Sequence, residues 1–510
     1  MTAKPTDPGD LARGSPARSG DRGPEAPGVV PRESRAGGHP PGLASVIFLA
    51  GPMLSMIDSS VVNVAVPVIV TSLHTTLAAA SWTVSGYLLG LGGGLAATPW
   101  LTRRLGTLRA YTAVLAGFTL ASAVCALAPS VGVLIAARVV QGLVAAPMVP
   151  LAMGRLISDS ETRRNIPASF GIVFFAAPAL GPAIGGLLIG QFGWRSVFLI
   201  NLPVGLAALA GTLAVARTGR RQPAATAGAA DPAARLDLWG MLLLGAGLTV
   251  AIYGASQGPS RGWFTAASAP AWVAGLVLIL GYGWHARRLL RRGGHPAVNL
   301  SLLGSPRRAL ILALECVASV VLFAVLFLAP VFLQDIQHHP AAVTGLVLLP
   351  QGVVMGLASW LGSIVVDRGQ AQPSIVAWSV IGGLTLLAAS TLGMLLLGPT
   401  SPLWLTAALL SGRGVALGLT IQPLVMALLG DLDQSRIADG NTLFSIAERL
   451  AGSFGIALLA TFYETRLRLT GSAVDAWHDC ALVLAAMSVV GAVAATALGT
   501  GRGSRVLVRR

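Results

Sequence analysis

The chain has 510 residues, of which 54% are hydrophobic and only 11% are charged, whereas a soluble protein carries about 25% charged residues. Its formal net charge of +15 comes from arginines clustered between apolar stretches, which is typical of membrane proteins and argues against a nucleic-acid-binding surface. The isolated cysteines give no sign of a disulfide framework or a metal site. The single lysine, Lys4, lies far from any strand-like segment and excludes an ATP-hydrolysing P-loop.

The chain begins with a polar segment that differs from everything after it. Residues 1–42 are rich in proline, glycine, serine and arginine and contain no apolar core. A secretory signal peptide would need such a core, so this composition predicts a disordered cytoplasmic tail instead.

The first apolar stretch, residues 43–70, is long enough to span a bilayer and contains one charged side chain, Asp58. A carboxylate inside the membrane raises the free energy of insertion by roughly 2.5–3.5 kcal/mol, so the first hypothesis is that Asp58 has a function. A low-dielectric setting favours the neutral form of a carboxyl group, so Asp58 could load and release a proton. The alternative is a structural carboxylate that caps a broken helix or pairs with an arginine. Asn63 lies about 140° round the same helix and is not expected in the same site.

The fourth apolar stretch, residues 132–157, places a second charge inside the membrane. Arg138, Gln141, Gly142 and Ala145 have the spacing of one helix face. An intramembrane arginine must face protein or water, so Arg138 indicates either proton transfer or a purely structural ion pair.

The fifth stretch, residues 165–191, combines prolines with closely spaced glycines. Gly181 and Gly185, and likewise Gly186 and Gly190, have the small-xxx-small spacing that lets two helices approach closely. Pro182 removes a backbone donor and permits bending. The pattern predicts tight packing and, as the sharper hypothesis, a hinge.

Several of these segments together resemble the fourteen-span drug:proton antiporters of the major facilitator superfamily. The similar segments are LSMIDSSVVNVAVPVI (54–69), RVVQG (138–142), ALGPAIGG (179–186), GWRSVFLINLPVG (193–205) and FLQDIQHHPAAVTGLVLLPQG (332–352). The likeness covers about residues 43–465. It implies Asp58 in proton coupling, Arg138 in proton transfer, and a hinge formed by Gly181, Pro182, Gly185 and Gly186.

The sequence departs from the family pattern at two places. In the loop after the second span, PWLTRRLGTLR matches only at Arg104 and Gly106, with Pro99 at the first glycine and Arg103 at the usual aspartate. In the thirteenth span, Glu448 stands where the family usually has arginine. Glu448 is therefore either a second protonatable site or the partner of an arginine such as Arg413, and Glu315 is expected at the membrane interface.

Hydropathy predicts an all-α polytopic membrane protein with the major facilitator fold, in which two six-helix bundles flank two inserted helices. Fourteen spans are counted, and the alternating arginine content of the loops places both termini in the cytoplasm. The predicted units are a tail (1–42), a first bundle (43–216), a linker (217–236), an inserted helix pair (237–289), a linker (290–308), a second bundle (309–500) and a basic tail (501–510).

The predicted function is proton-driven export of drugs, antibiotics or other hydrophobic small molecules across a plasma membrane by alternating access. A proton gradient is the expected energy source, with no cofactor, no metal and no nucleic acid, and the chain is expected to act in the bilayer as a monomer. The rivals are a proton-coupled uptake symporter and a non-transporting sensor or membrane enzyme. Polar side chains inside the spans are low-ranked candidates for the substrate cavity: Asn63, Gln141, Gln351 and Gln422.

Overall fold

The regular structure of the described residues is helical. The structure is a computed structural model that describes residues 41–158, 166–218, 236–262, 265–266, 268–294, 296–368, 373–433 and 436–499. Most of the predicted first tail and first linker, and the basic tail 501–510, lie outside these residues. The helices are α1 (Pro41–Ser72), α2 (Leu77–Leu95), α3 (Thr98–Leu105), α4 (Thr107–Ala126), α5 (Val131–Ala145), α6 (Met148–Ser158), α7 (Ile166–Phe192), α8 (Ser196–Leu199), α9 (Asn201–Thr218), α10 (Leu238–Arg261), α11 (Ala269–Arg291), α12 (Pro306–Val331), α13 (Ala341–Arg368), α14 (Pro373–Gly393), α15 (Leu403–Gly430), α16 (Ile437–Thr470) and α17 (Ala473–Ala495).

The helix contacts repeat between the two halves of the chain. In the first half α1 packs on α7, α2 on α5 and α4 on α9; in the second half α12 packs on α16, α13 on α15 and α14 on α17. Across the halves, α2 packs on α16 and α7 packs on α13. The second long helix of each half therefore lies against the fifth long helix of the other, so the two bundles are related by an approximate twofold symmetry.

Twelve helices of the described residues are long and apolar enough to cross a membrane, so the predicted count of fourteen spans is not confirmed. The two remaining predicted spans correspond to α2 and α7. Within α7 the segment Ala177–Phe192 is a shorter apolar helix, and in α2 serine, threonine and glycine interrupt the leucines. Since α2 lies between α5 and α16, most of its surface contacts protein and needs no lipid-facing apolar side chains.

The hydrogen bonds that join the two bundles lie at the middle of the helices and on the side where α1 ends. Ser85 and Ser453 each donate their hydroxyl to the backbone carbonyl of the other, at 3.1 and 3.0 Å. Gln334, in a π-helical turn after α12, donates to the Val64 carbonyl at 3.0 Å. These bonds cross the α2–α16 and α1–α12 contacts, so the bundles are joined at this end.

Proline shapes α1 near its start. Pro52 cannot donate a hydrogen bond to the Phe48 carbonyl one turn earlier, and the Tyr111 hydroxyl of α4 donates to that carbonyl instead, at 3.0 Å. The Gly51 backbone N–H in turn donates to the Tyr111 oxygen at 3.2 Å. A side chain from a neighbouring helix thus satisfies the backbone that the proline leaves open, which ties α1 to α4 close to Asp58.

Candidate functional site

Asp58 lies at the centre of a cluster that is closed off from solvent. One carboxylate oxygen, Oδ2, is 2.5 Å from the Arg138 guanidinium, and the other, Oδ1, accepts from Asn201 Nδ2 at 2.7 Å and Gln141 Nε2 at 3.3 Å. The Asp58 and Arg138 side chains are both 0% exposed. Four helices supply the cluster, because Asp58 is on α1, Ser122 on α4, Arg138 and Gln141 on α5, and Asn201 on α9.

The cluster continues around Arg138 and Gln141. Arg138 donates to the Gln141 amide oxygen at 2.6 Å and to the Thr83 carbonyl at 2.9 Å, and its guanidinium lies 4.0 Å from the centre of the Tyr87 ring. Gln141 also donates to the Ser122 hydroxyl at 2.7 Å. A charged ring contact and charge-assisted hydrogen bonds are the contacts that make a buried guanidinium tolerable.

This arrangement supplies hydrogen-bond donors to both oxygens of the Asp58 carboxyl group. A buried ion pair is stable only when its remaining lone pairs are satisfied, and here a guanidinium and two amides donate to one carboxylate. A proton on Asp58 would remove the attraction to Arg138 and turn one acceptor oxygen into a donor. The cluster therefore links protonation to the contacts between α1 and helices α4, α5 and α9.

The other side of α1 packs against the glycines of α7. A methyl group on Gly181 would come within 3.0 Å of the Ser60 hydroxyl, and one on Gly185 would meet the Val61 side chain equally closely. Gly186 faces the Ala341 backbone at the start of α13 in the second bundle, and Gly345 of α13 faces the Pro182 carbonyl. The segment is therefore the packing surface between α1 and the second bundle. Gly190 is different, because nothing lies within 4 Å of its missing side chain.

Gln141 is the one cavity candidate that the structure brings into this cluster. Asn63 donates to carbonyls of its own helix, Ser59 at 3.3 Å and Ser60 at 3.2 Å, in agreement with its expected place outside the Asp58 site. Gln351 is buried with its amide oxygen unpartnered among the described residues, and Gln422 is partly buried. The structure does not bring these two together with Asp58, and their place in a substrate cavity stays a prediction.

The loop after the second span forms the short helix α3 and a glycine turn. Gly106 has a φ of +74°, which strains any residue with a side chain, and this explains why the glycine of the pattern is kept. Arg104 is exposed at the end of α3.

Glu448 pairs with an arginine, as one of the two alternatives expected, but the partner is Arg449 and not Arg413. Arg413 donates to the Thr391 hydroxyl at 3.0 Å and to the Val321 carbonyl at 2.9 Å. Glu448 instead lies 3.8 Å from Arg449, with about a fifth of its side chain exposed (22%). The ion pair of Glu448 therefore joins two adjacent residues of α16. Arg413 lies on α15 and faces α12 and α14 instead.

Glu315, which was expected at a membrane interface, is enclosed by protein, and its depth in the membrane stays a prediction. Its side chain is 0% exposed inside the α12 contacts. We expected an interfacial position because Glu315 is close to the start of its span. Position along the chain does not indicate which side of a helix faces the bundle.

Asn201 is the main site residue that the sequence did not predict. It lies in GWRSVFLINLPVG, a segment noted only for its family resemblance. A useful signal is that it is a polar residue between two apolar stretches, at the first position of α9. Nothing in the local pattern indicates that its amide reaches Asp58, which is 143 residues away in the chain.

Comparisons with known proteins match this architecture. The family model described as the Major Facilitator Superfamily matches residues 48–456. The chain is 34% identical over 427 residues to the "Multidrug resistance protein B homolog" of Mycobacterium tuberculosis, covering 82% of this chain and 75% of the relative. It is 29% identical to the "Tetracenomycin C resistance and export protein" of Streptomyces glaucescens, with the same coverages, 82% and 75%.

Solved structures show the same fold at low sequence identity. The structure of a bacterial homologue of the human lysosomal transporter Spinster, in an inward-facing and unoccupied conformation, superposes with a TM-score of 0.64 at 15% identity. The match covers 91% of this chain and 97% of that one.

Proposed function

We infer that this chain, which belongs to the Major Facilitator Superfamily of transporters, exports antibiotics or other hydrophobic small molecules from the cell in exchange for protons. One relative is named a multidrug resistance protein homolog and another a tetracenomycin C resistance and export protein, and these names support the substrate class and the outward direction. The sealed Asp58–Arg138 pair supports proton coupling, because ionisable side chains inside a membrane are costly to bury and by default indicate a functional site.

In the proposed mechanism α1 carries the coupling between proton and substrate. Asp58 lies on the face of α1 toward α4, α5 and α9, whereas Ser60 and Val61 contact the glycines of α7. Loss of the ion pair on protonation would free α1 from its own bundle, and α7 would pass that change to α13. The bundles could then separate at the end where they are now joined, which is alternating access.

The protein is proposed to lie in the plasma membrane as a monomer, with both termini in the cytoplasm. The arginine-rich loops then face the cytoplasm, and the joined end faces outward, so the conformation is closed to the outside. A proton-coupled uptake symporter would use the same pair in the opposite direction. The names of the relatives favour export.

Export can be tested in proteoliposomes that contain the purified protein and a fluorescent lipophilic cation as the transported probe. With an imposed pH gradient we expect the probe to move against its own gradient, toward the more acidic compartment, as protons move the other way. A pH difference of one unit stores about 1.4 kcal/mol per proton, enough for a roughly tenfold probe gradient. Movement of probe and protons in the same direction would identify a symporter and contradict the proposal.

We further propose that α2 and α7 also cross the membrane, which makes fourteen spans. A cysteine at His74 and one at Arg103 should then react with impermeant reagents from opposite faces in a background without the natural cysteines. Cysteines at Gly154 and Gln191 should differ in the same way across α7. If both cysteines of one pair react from the same face, the helix between them does not cross and the count falls to thirteen. The same result for both pairs reduces the count to twelve.

A further inference from the structure

Glu315 is an acid in the second bundle that is buried without a cationic partner. Its side chain is 0% exposed, and its Oε1 accepts from the Ser319 hydroxyl one turn later on α12, at 2.9 Å. Its Oε2 has no hydrogen-bond partner among the described residues, and no described arginine, lysine or histidine lies within ion-pair distance. An ionised carboxylate without a partner is far more expensive to bury than a neutral carboxyl group.

Asp58 shows what an ionised carboxylate has around it in this protein. Three groups donate to Asp58, among them the Arg138 guanidinium, and both carboxylate oxygens accept. Glu315 receives one neutral hydroxyl donor on one oxygen. Glu315 therefore lacks the charged and amide donors that compensate a buried carboxylate at Asp58.

A partly exposed acid lies close to Glu315 on the neighbouring helix. α12 and α16 pack tightly, because Gly452 lies against the Phe323 ring and Gly455 against Val320. Cys316, next to Glu315 in the chain, and Ala447, next to Glu448, line the same small cavity between α12 and α16. Glu448 is about one fifth exposed, so it can exchange protons with water when Glu315 cannot.

We propose that Glu315 is a second proton-carrying site of the transporter, which holds its proton in the conformation where Asp58 is ionised and exchanges it with water through Glu448. In the release step a proton leaves the Glu315 carboxyl, binds the Glu448 carboxylate and passes on to water, so each O–H bond that breaks is replaced by one that forms. Glu448 then returns to its ion pair with Arg449. This inference rests on the proposed proton coupling and adds a second site in the other bundle.

Infrared spectroscopy of the reconstituted protein tests the protonation state without any transport. We expect a carbonyl-stretch band of a protonated carboxyl group at neutral pH, which disappears in Glu315→Gln. The band should shift in Ser319→Ala, which removes only the hydrogen bond. It should stay in Asp58→Asn and in the matched control Asp475→Asn, whose acid is exposed at the start of α17.

Two outcomes would overturn the proposal: absence of the band in the wild type at neutral pH, or its survival in Glu315→Gln. If Glu315→Gln fails to fold, the Ser319→Ala shift still decides, since a band from another group would not move. In proteoliposomes, Glu315→Gln should lower the number of protons exchanged per probe by one, measured from the pH gradient that just stops net flux. A wild type without proton-driven efflux would refute the proposed function instead, whatever the infrared band shows.

Discussion

Asp58→Asn should weaken uphill export by one coupled proton while leaving downhill movement of the substrate possible. Asparagine keeps a similar shape and an acceptor oxygen, but it cannot bind and release a proton. Proteoliposomes with the wild type should sustain a roughly tenfold probe gradient for each pH unit and each coupled proton, so the gradient with the variant should be roughly tenfold smaller for each pH unit. The measurement is the steady-state probe gradient at a series of imposed pH differences.

This substitution leaves Arg138 as an uncompensated buried charge, which can destabilise a protein by about 3–5 kcal/mol. The thermal stability of the purified variant must therefore be compared with that of the wild type. Asp58→Glu is the matched second variant, since it keeps an ionisable group near Arg138 and should retain part of the coupling. Asp475→Asn, at an exposed acid, should behave like the wild type. Uphill export by folded Asp58→Asn with an unchanged pH dependence would show that coupling lies elsewhere.

Gly186→Leu should impair export strongly, whereas Gly190→Leu on the same helix should leave it nearly unchanged. A side chain at Gly186 would collide with the Ala341 backbone of α13, which cannot move aside alone, whereas nothing lies within 4 Å of the position at Gly190. Overpacking costs about 1–3 kcal/mol, which corresponds to a roughly 5- to 150-fold loss in the population of the conformation with α7 against α13. The measurements are the initial rate of probe efflux and the thermal stability of each variant.

Equal rates for the two leucine variants would contradict a role of the α7–α13 contact in the transport cycle. The comparison is informative because both glycines belong to the same small-xxx-small pair in the sequence. Their spacing predicts equal importance. The structure instead assigns close contact to Gly186 and open space to Gly190.

Most of the helical architecture could be predicted from the chain alone. Apolar stretches of about 20 residues are recognisable because the bilayer sets their length, and the arginine-rich loops report their order. The span count was less secure, since α2 is enclosed by α5 and α16 and does not need the hydropathy of a lipid-facing helix. A buried helix in a membrane protein therefore escapes the signal that identifies its neighbours.

The candidate site could be predicted only in part. Asp58 and Arg138 are conspicuous because charges are rare in apolar spans, and the spacing of Gln141 puts it on the same face as Arg138. The sequence alone did not determine that these groups meet, or that Asn201 completes the cluster. Glu448 was predicted as a candidate, but its pairing with Arg449 was not.

The sequence by itself therefore determined which ionisable side chains lie inside apolar spans, where burying a charge is costly, and which helices carry them. The tertiary structure decided which of them are compensated. Asp58 is surrounded by donors from two other helices, whereas Glu315 has one neutral donor from its own helix. The physical reason is that the free-energy cost of burying a charge depends on the residue type and on the low dielectric of the membrane. Its compensation depends on side chains that are far away in the chain, and only helix packing brings these within hydrogen-bonding distance.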